Sequence, residues 1–266
     1  MKKIIILGSS GSIGSYLSKK LSTNFQVIAT TRNTSHSQNE NNVNYLSVDF
    51  GNREDIENFL DQLNNHKDIY GIINCYGIQT PIGKFREVDF KVWEENITIN
   101  FNNFAFFLHK FLKSTTTIKK IIVCSGGGAT YPRKYFSAYG ISKIALYKYI
   151  EILSQELESD GIDLNLIAPG VIKSKMTQEV VDFGSILGDE YKNSLETLSD
   201  GGQDKEKIFH LCNFLLSEKS NGLSGRLISA QWDNIEDSDL AKLIKDKNLF
   251  TIRRIDQKYF MEKNKK

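Results

Sequence analysis

"KKIIILGSSGSIG", residues 2–14, sets four consecutive aliphatic residues, Ile4 to Leu7, directly against a glycine-spaced turn. A short, unbroken aliphatic run bounded by glycine reads as a strand buried on both faces. Gly8, Gly11 and Gly14 then recur every third residue, leading into a helix that begins at about Ser12. Glycine lets the backbone turn tightly and approach a pyrophosphate, and a helix N-terminus offers N–H groups and favourable polarity for negative charge. The spacing is G-x-x-G-x-x-G and not G-x-G-x-x-G, but its position after the first strand is the one a dinucleotide loop requires. Gly8, Ser10, Gly11, Ser12, Ile13 and Gly14 are therefore candidate cofactor contacts.

The same alternation continues outward. "FQVIAT" (25–30) and "VNYLSVDF" (43–50) read as strands, "REDIENFLDQL" (53–63) as a helix with Ile56, Phe59, Leu60 and Leu63 on one face, and "IYGIINCYG" (69–77) as a fourth strand. A helix over about 91–113, the strand "KKIIVCS" (119–125), a helix from about Tyr139 to Glu158 and the strand "DLNLIAPG" (163–170) follow. A helix holding Ile208, Leu211, Leu215 and Leu216 leads to a last strand in "GLSGRLISA" (222–230). Short aliphatic strands alternating with amphipathic helices imply parallel strands, right-handed crossovers and helices on both faces, an α/β doubly wound fold of Rossmann type. At 266 residues the chain closes one core without needing a second domain. The expected division is a domain over 1–233, with a substrate lid at about 173–204, and a C-terminal extension over 234–266 packed on the domain or at a subunit interface.

Composition narrows the function classes. The 34 basic and 32 acidic residues are interspersed, and a net charge of +2 is too mild for a nucleic-acid surface. The N-terminal apolar run is too short for a signal sequence or a membrane span, so a cytoplasmic protein without membrane contact is expected. Cys75, Cys124 and Cys212 lie far apart, and His36, His66, His109 and His210 are scattered, so no metal site is expected.

At the end of the second strand an acid would hold the 2′-hydroxyl of NAD and a base would suit a 2′-phosphate. The residues there are Thr30, Thr31 and Arg32, which favours NADP(H) over NAD(H). Asp49 and Phe50 end the third strand, where the carboxylate either accepts from the adenine amino group or serves its own turn. At the other end of the cofactor, Tyr139 and Lys143 are four residues apart and share one helix face. A free phenol with a pKa near 10 is a poor base at neutral pH, and an adjacent ammonium lowers it. Such a pair suits proton exchange with an alcohol or carbonyl during hydride transfer.

Taken together, "GSSGSIG" (8–14), "NCYG" (74–77), Asn100 in "NITIN", Ser125 before Tyr139, "YGISK" (139–143) and "PG" (169–170) resemble the short-chain dehydrogenase/reductase family over about residues 3–230. The resemblance implies an NAD(P)-dependent oxidoreductase, commonly a homodimer or homotetramer. Tyr139 would be its acid/base, Lys143 would hold the nicotinamide ribose, and Asn100 would keep a water for a proton relay. Asn74, Tyr76, Gly77 and Ile97 would shape the cofactor wall, and Pro169, Gly170 and Ile172 would line the nicotinamide side. Two departures stand out. "NCYG" replaces the usual "NNAG" or "NAG", and the family's paired serines read Ser125-Gly126, with Ser125 lying 14 residues before Tyr139, one more than the commonest spacing. Either Ser125 reaches the substrate, or a backbone group, Thr130 or a substrate hydroxyl supplies that hydrogen bond.

The lid residues Met176, Val180, Val181, Phe183, Ile186 and Leu187 alternate with acids and amides, which suits a polar small molecule better than a greasy one. "SGGGAT" and "GRLISAQWDNIE" resemble a bacterial branch of sugar and nucleotide-sugar metabolism, with Trp232 either stacking on a ring or covering the core. Phe104 to Phe107 are expected either at a subunit contact facing "SKIALYKYIEILSQEL" or in ordinary burial. The alternatives are a dinucleotide-binding sensor or structural subunit without turnover, and a sugar epimerase or dehydratase working through a transient keto form.

Overall fold

The computed structural model describes residues 1–32, 42–64, 66, 68–235 and 237–254. Among them seven strands form one all-parallel sheet in the order β3-β2-β1-β4-β5-β6-β7. The strands are β1 (Lys3–Leu7), β2 (Gln26–Thr31), β3 (Val43–Ser47), β4 (Ile69–Asn74), β5 (Lys120–Cys124), β6 (Asp163–Ala168) and β7 (Leu227–Ser229). The order reverses at β1, which lies between β2 and β4. In an open parallel sheet that reversal opens a crevice beyond the carboxyl ends, where ligands gather.

The aliphatic runs follow from burial on both faces. Ile5 and Leu7 enter one core layer, and Ile4 and Ile6 enter the other. The first layer is closed by α2 (Arg53–Leu63), α4 (Asn103–Ser114) and α5 (Ser137–Glu156), through residues such as Phe59, Phe107 and Tyr147. The second is closed by α1 (Ser12–Leu21) and α8 (Lys205–Leu215), through Leu17, Leu21, Ile208 and Cys212. α2 starts where the Asn52 side chain accepts from the Glu54 N–H at 2.9 Å, and it buries Ile56, Phe59 and Leu63 along one stripe.

Five expected elements differ. The strands end two to three residues early at Asp49-Phe50, Cys75–Gly77 and Pro169-Gly170, because these segments leave the ladder to line the crevice. The helix expected over 91–113 is α3 (Phe90–Ile97) and α4 joined by a π-helical turn, Thr98–Asn102. β7 keeps only three residues, since Gly222 and Gly225 turn at φ +85° and +77° before it. Phe104 and Phe107 are fully buried within the chain, so of the four residues expected at a subunit contact only Ala105 and Phe106 keep exposed surface.

The described part of the C-terminal segment packs on the domain. α9 (Asp237–Lys245) buries Leu243, Phe250 O accepts from Leu227 N along β7, and the Tyr147 hydroxyl accepts from Ile252 N at 2.6 Å. Residues 255–266 of the expected extension, like His36, lie outside the described residues.

At the amino end of the sheet, Lys120 is buried with its Nζ 2.7 Å from Asp163 and 3.0 Å from the Ser220 hydroxyl. Removing one partner of a buried pair strands the other charge. Asp163→Ala is expected to lower unfolding stability by about 3 kcal/mol, read from denaturant midpoints. The double replacement with Lys120→Met is expected to cost less than the single one, because no uncompensated ammonium remains.

Candidate active site

The phosphate end is built by close backbone approach. Gly8, at φ +81°, faces the Tyr76 backbone so tightly that a Cβ there would lie 2.7 Å from it. A Cβ on Gly14 would lie 2.3 Å from Gly8 O, so the turn and the helix start require glycine at both positions. Gly8 N donates to the Thr30 hydroxyl at 3.0 Å, which ties the turn to β2. α1 has Gly11 at its N-cap, with no side-chain cap and no acid in its first turn, while Lys19 and Lys20 stand in its last turn. Its first N–H groups have no intrahelical acceptor, so the helix end fits an anionic phosphate. Ser10 and Gly11 are exposed, the Ser12 hydroxyl donates to Lys173 O at 3.0 Å, and Ile13 packs beside the core.

At the expected adenosine end, Arg32 is exposed just past β2. The Asp49 carboxylate accepts from Gly51 N at 2.8 Å, so it caps its own turn. Phe50 is buried and stacks on Tyr76 with ring centroids 4.2 Å apart. The Tyr76 hydroxyl is shielded without a partner, and burial pushes its pKa well up. These two rings therefore act as core as much as wall. Asn74 is buried and accepts from Tyr76 N at 3.2 Å, which holds the "NCYG" turn. Ile97 is half-buried at the end of α3.

The reacting end converges on Gly77. A Cβ there would lie 3.1 Å from Asn100 Oδ1 and 3.4 Å from Lys143 Nζ, so this glycine makes room for both. Asn100 sits in the π-helical turn, a distortion frequent at functional sites. Its Oδ1 accepts from Ile78 N at 2.8 Å, and its Nδ2 reaches Ile78 O at 2.7 Å, Asn96 Oδ1 at 2.9 Å and Ser142 Oγ at 3.0 Å. Asn96 and Ser142 were missed in the sequence, although the four-residue spacing in "NITIN" and the place of Ser142 within "YGISK" were visible. Ser142 Oγ in turn donates to Tyr139 O at 2.8 Å. Lys143 is buried, donates to Cys124 O at 3.1 Å and lies 5.5 Å from the centre of the Tyr139 ring.

Tyr139 itself is enclosed by Phe136, Val180 and Leu187. Burial pushes its pKa up to about 12, against a lowering by the Arg133 guanidinium. The expected depression by Lys143 is not what is found: the cation that lowers the phenol is Arg133, burial outweighs it, and burial also lowers the Lys143 pKa. In this form the phenol is a neutral proton donor. Gly126 is the residue against it, since a Cβ there would lie 2.1 Å from the phenol oxygen. Ser125 is buried and its hydroxyl has no hydrogen-bond partner, so it does not bond the phenol.

The lid springs from Pro169-Gly170. Gly170 turns at φ +82°, and Ile172 pairs with Gly202 across the lid base. Two helices, α6 (Lys175–Phe183) and α7 (Asp189–Asp200), then cross the site, burying Val180 while Phe183 and Ile186 stay exposed. Polar groups dock them: Gln79 donates to Met176 O and to Glu179 Oε2, and Arg133 forms a fork with Glu190. In "SAQWD" the tie is Gln231, which donates to Pro169 O at 2.9 Å. Trp232 is 72% exposed, which overturns the core-covering reading of that residue. Among the described residues no cluster of three metal-ligating side chains exists, and no helix is long and apolar enough to cross a membrane.

A family model described as short chain dehydrogenase matches residues 2–183. Benzil reductase ((S)-benzoin forming) of Saccharomyces cerevisiae is 28% identical over 51% of this chain and 55% of its own length. The 3-amino-tetrahydro-pyrrolizinone reductase of Xenorhabdus hominickii is 25% identical over 78% of this chain and 71% of its own. The chain thus spans about half the length of the yeast relative. Among solved structures, a short chain dehydrogenase family protein from Francisella tularensis superposes with a TM-score of 0.74 at 21% identity, covering 86% of this chain and 96% of that one.

Proposed function

Because this chain belongs to the short chain dehydrogenase family, we propose that it reduces a carbonyl to a secondary alcohol with NADPH, on a small polar substrate of carbohydrate or nucleotide-sugar type. The observation that carries the reading is the Tyr139 phenol, protonated and buried beside Lys143 and Asn100 at the carboxyl end of β5. Bound NADPH supplies the hydride. The turn from Gly8 to Gly14 and the open end of α1 would hold its pyrophosphate, Arg32 its 2′-phosphate and Lys143 its nicotinamide ribose. Tyr139 gives its proton to the carbonyl oxygen as negative charge develops there, and the apolar cluster around it excludes water. Asn100 spends its side chain on the segment from Ile78, which keeps the π-helical turn in place beside Lys143.

The polar substrate is supported by the groups that dock the lid, Gln79, Glu179, Arg133 and Glu190. The reduction direction is supported by the neutral phenol and by the names of both relatives, each a reductase. A second reading, a dinucleotide-binding protein without turnover, draws on Gly126 standing where a hydroxyl would face the phenol.

Fluorescence titration with NADPH and NADH, then both cofactors against keto-sugars and nucleotide-linked keto-sugars, tests the assignment. The expected result is at least tenfold tighter NADPH binding, with substrate-dependent loss of the reduced-nicotinamide absorbance. Binding without turnover in either direction favours the second reading, and absence of binding by either cofactor overturns both.

A further inference from the structure

Arg133 lies on the loop joining β5 to α5, six residues before Tyr139, and it is held from three sides. Its Nε and Nη2 donate to the two carboxylate oxygens of Glu190 in α7, each at 2.8 Å. Its guanidinium stands 3.6 Å from the centre of the Phe136 ring. Its stem runs along the glycine strip, where a Cβ on Gly127 would come within 3.5 Å of Arg133 Cδ and one on Gly128 within 3.4 Å of Arg133 Cβ. The side chain is 12% exposed. A forked, ring-stacked and shielded guanidinium is fixed before substrate arrives, and its charge acts through a medium poorer in water than the surface.

The guanidinium carbon lies 6.0 Å from the centre of the Tyr139 ring. The other titratable groups around that ring are Cys124 at the end of β5, Tyr131 and Tyr135 on the same loop, Lys143 on α5, and Glu190 and Tyr191 on the lid. Lys143 is the one cation among them besides Arg133 itself. Lys143 is already donating to Cys124 O, and its ammonium is disfavoured by burial. The Glu190 carboxylate offsets part of the Arg133 charge but holds it in register with the lid. When Tyr139 gives up its proton, its O–H bond breaks, an O–H bond forms on the substrate oxygen, and the negative charge stays on the phenolate. At position 126 no side-chain hydroxyl is present to share that charge.

We propose that Arg133, fixed by Glu190, is a positioning residue that stabilises the Tyr139 phenolate and thereby supplies electrostatically what a hydroxyl at position 126 does not. The proposal rests on the reduction reading above. It also gives the glycine run a purpose: Gly126 admits the phenol, while Gly127 and Gly128 admit Tyr131 and Arg133.

The test is the pH profile of carbonyl reduction at saturating NADPH, from about pH 6 to about pH 12, the range that reaches the pKa of about 12 of the buried phenol. The phenol must be protonated to act, so rate is lost as pH rises through its pKa. A cation lowers that pKa, and removing it moves the fall to higher pH. Arg133→Met is expected to move the falling limb up by about one pH unit and to cut the plateau about tenfold, because the phenol becomes a weaker acid. Arg133→Lys is expected to restore more than half of the shift, and Arg133→Gln, which removes the charge but keeps donors for Glu190, to give a shift in the same direction as Arg133→Met.

NADPH titration and thermal melts accompany each variant. If Arg133→Met does not fold, the Arg133→Gln limb decides alone: an upward shift supports the proposal and an unmoved limb overturns it. A limb unmoved in Arg133→Met, a rise in KM with the limb unmoved, or no limb in the wild type up to about pH 12 also overturns it. Wild-type protein that binds NADPH but turns nothing over overturns the reduction reading and this proposal together. Turnover with an unmoved limb overturns only the role of Arg133.

Discussion

Tyr139→Phe is expected to lower carbonyl reduction by about 10³- to 10⁴-fold while leaving NADPH affinity within about twofold of the wild type. The substitution removes one oxygen from a ring enclosed by Phe136, Val180 and Leu187, and phenylalanine fills the same apolar space. Lys143 and Asn100 keep their partners, Cys124 O for the first and the segment at Ile78 for the second, so the cofactor wall survives. What disappears is a proton held at a pKa of about 12, available at neutral pH to an oxygen gaining charge. Single-turnover reduction beside a fluorescence titration separates the two effects. Residual reduction above one tenth of the wild-type rate would remove Tyr139 from the acid role, and equal losses of affinity and rate would indicate a collapsed site.

Gly126→Ser places a hydroxyl beside Ser125, as the family resemblance would have it, yet it is expected to lower kcat by about 10²-fold. The reason is space. A Cβ at position 126 would lie 2.1 Å from the phenol oxygen, 2.8 Å from Cζ and 3.0 Å from Cε1 of Tyr139. The phenol is the end of a side chain and can move, but the lid cluster surrounds the ring, so displacement takes the reacting oxygen away from its position. A misplacement of roughly 1 Å is enough for a loss of that size. Cofactor affinity is expected to hold, because Gly126 borders neither the turn at Gly8 nor the pair at Gly77 in the contacts its Cβ would make. A rise in kcat would mean that the ring has room to retreat and that a serine improves the site.

The two substitutions divide what could be read from the chain from what could not. Ile4 to Leu7 and the glycines after them were sufficient to place a buried strand and an anion-binding helix end, because local pattern alone dictates both. The four-residue spacing of Tyr139 and Lys143 was equally local, and α5 does bring both to one face. The sign of the Tyr139 pKa was not local. It depends on how much water the lid removes, and the lid is built from residues 175–200, far away in the chain. Arg133 escaped notice for the same reason, since its partner Glu190 lies in α7 and nothing near it in sequence indicates the fork. Gln231 rather than Trp232 became the tie in "SAQWD" because the strand end puts its amide, and not the indole, against Pro169.

Local pattern in the chain thus indicated the order of strands and helices, the doubly wound sheet, the glycine turn and the Tyr139–Lys143 pair, since each follows from interactions within a few residues, whereas Asn100 was named only through the family resemblance. Only the folded chain decided which residue faces the phenol, how far that phenol is shielded, and which cation stands beside it. Those depend on distances between segments that the crossovers of the sheet bring together, and a side chain's charge and solvation respond to every neighbour in space, whatever its distance along the chain.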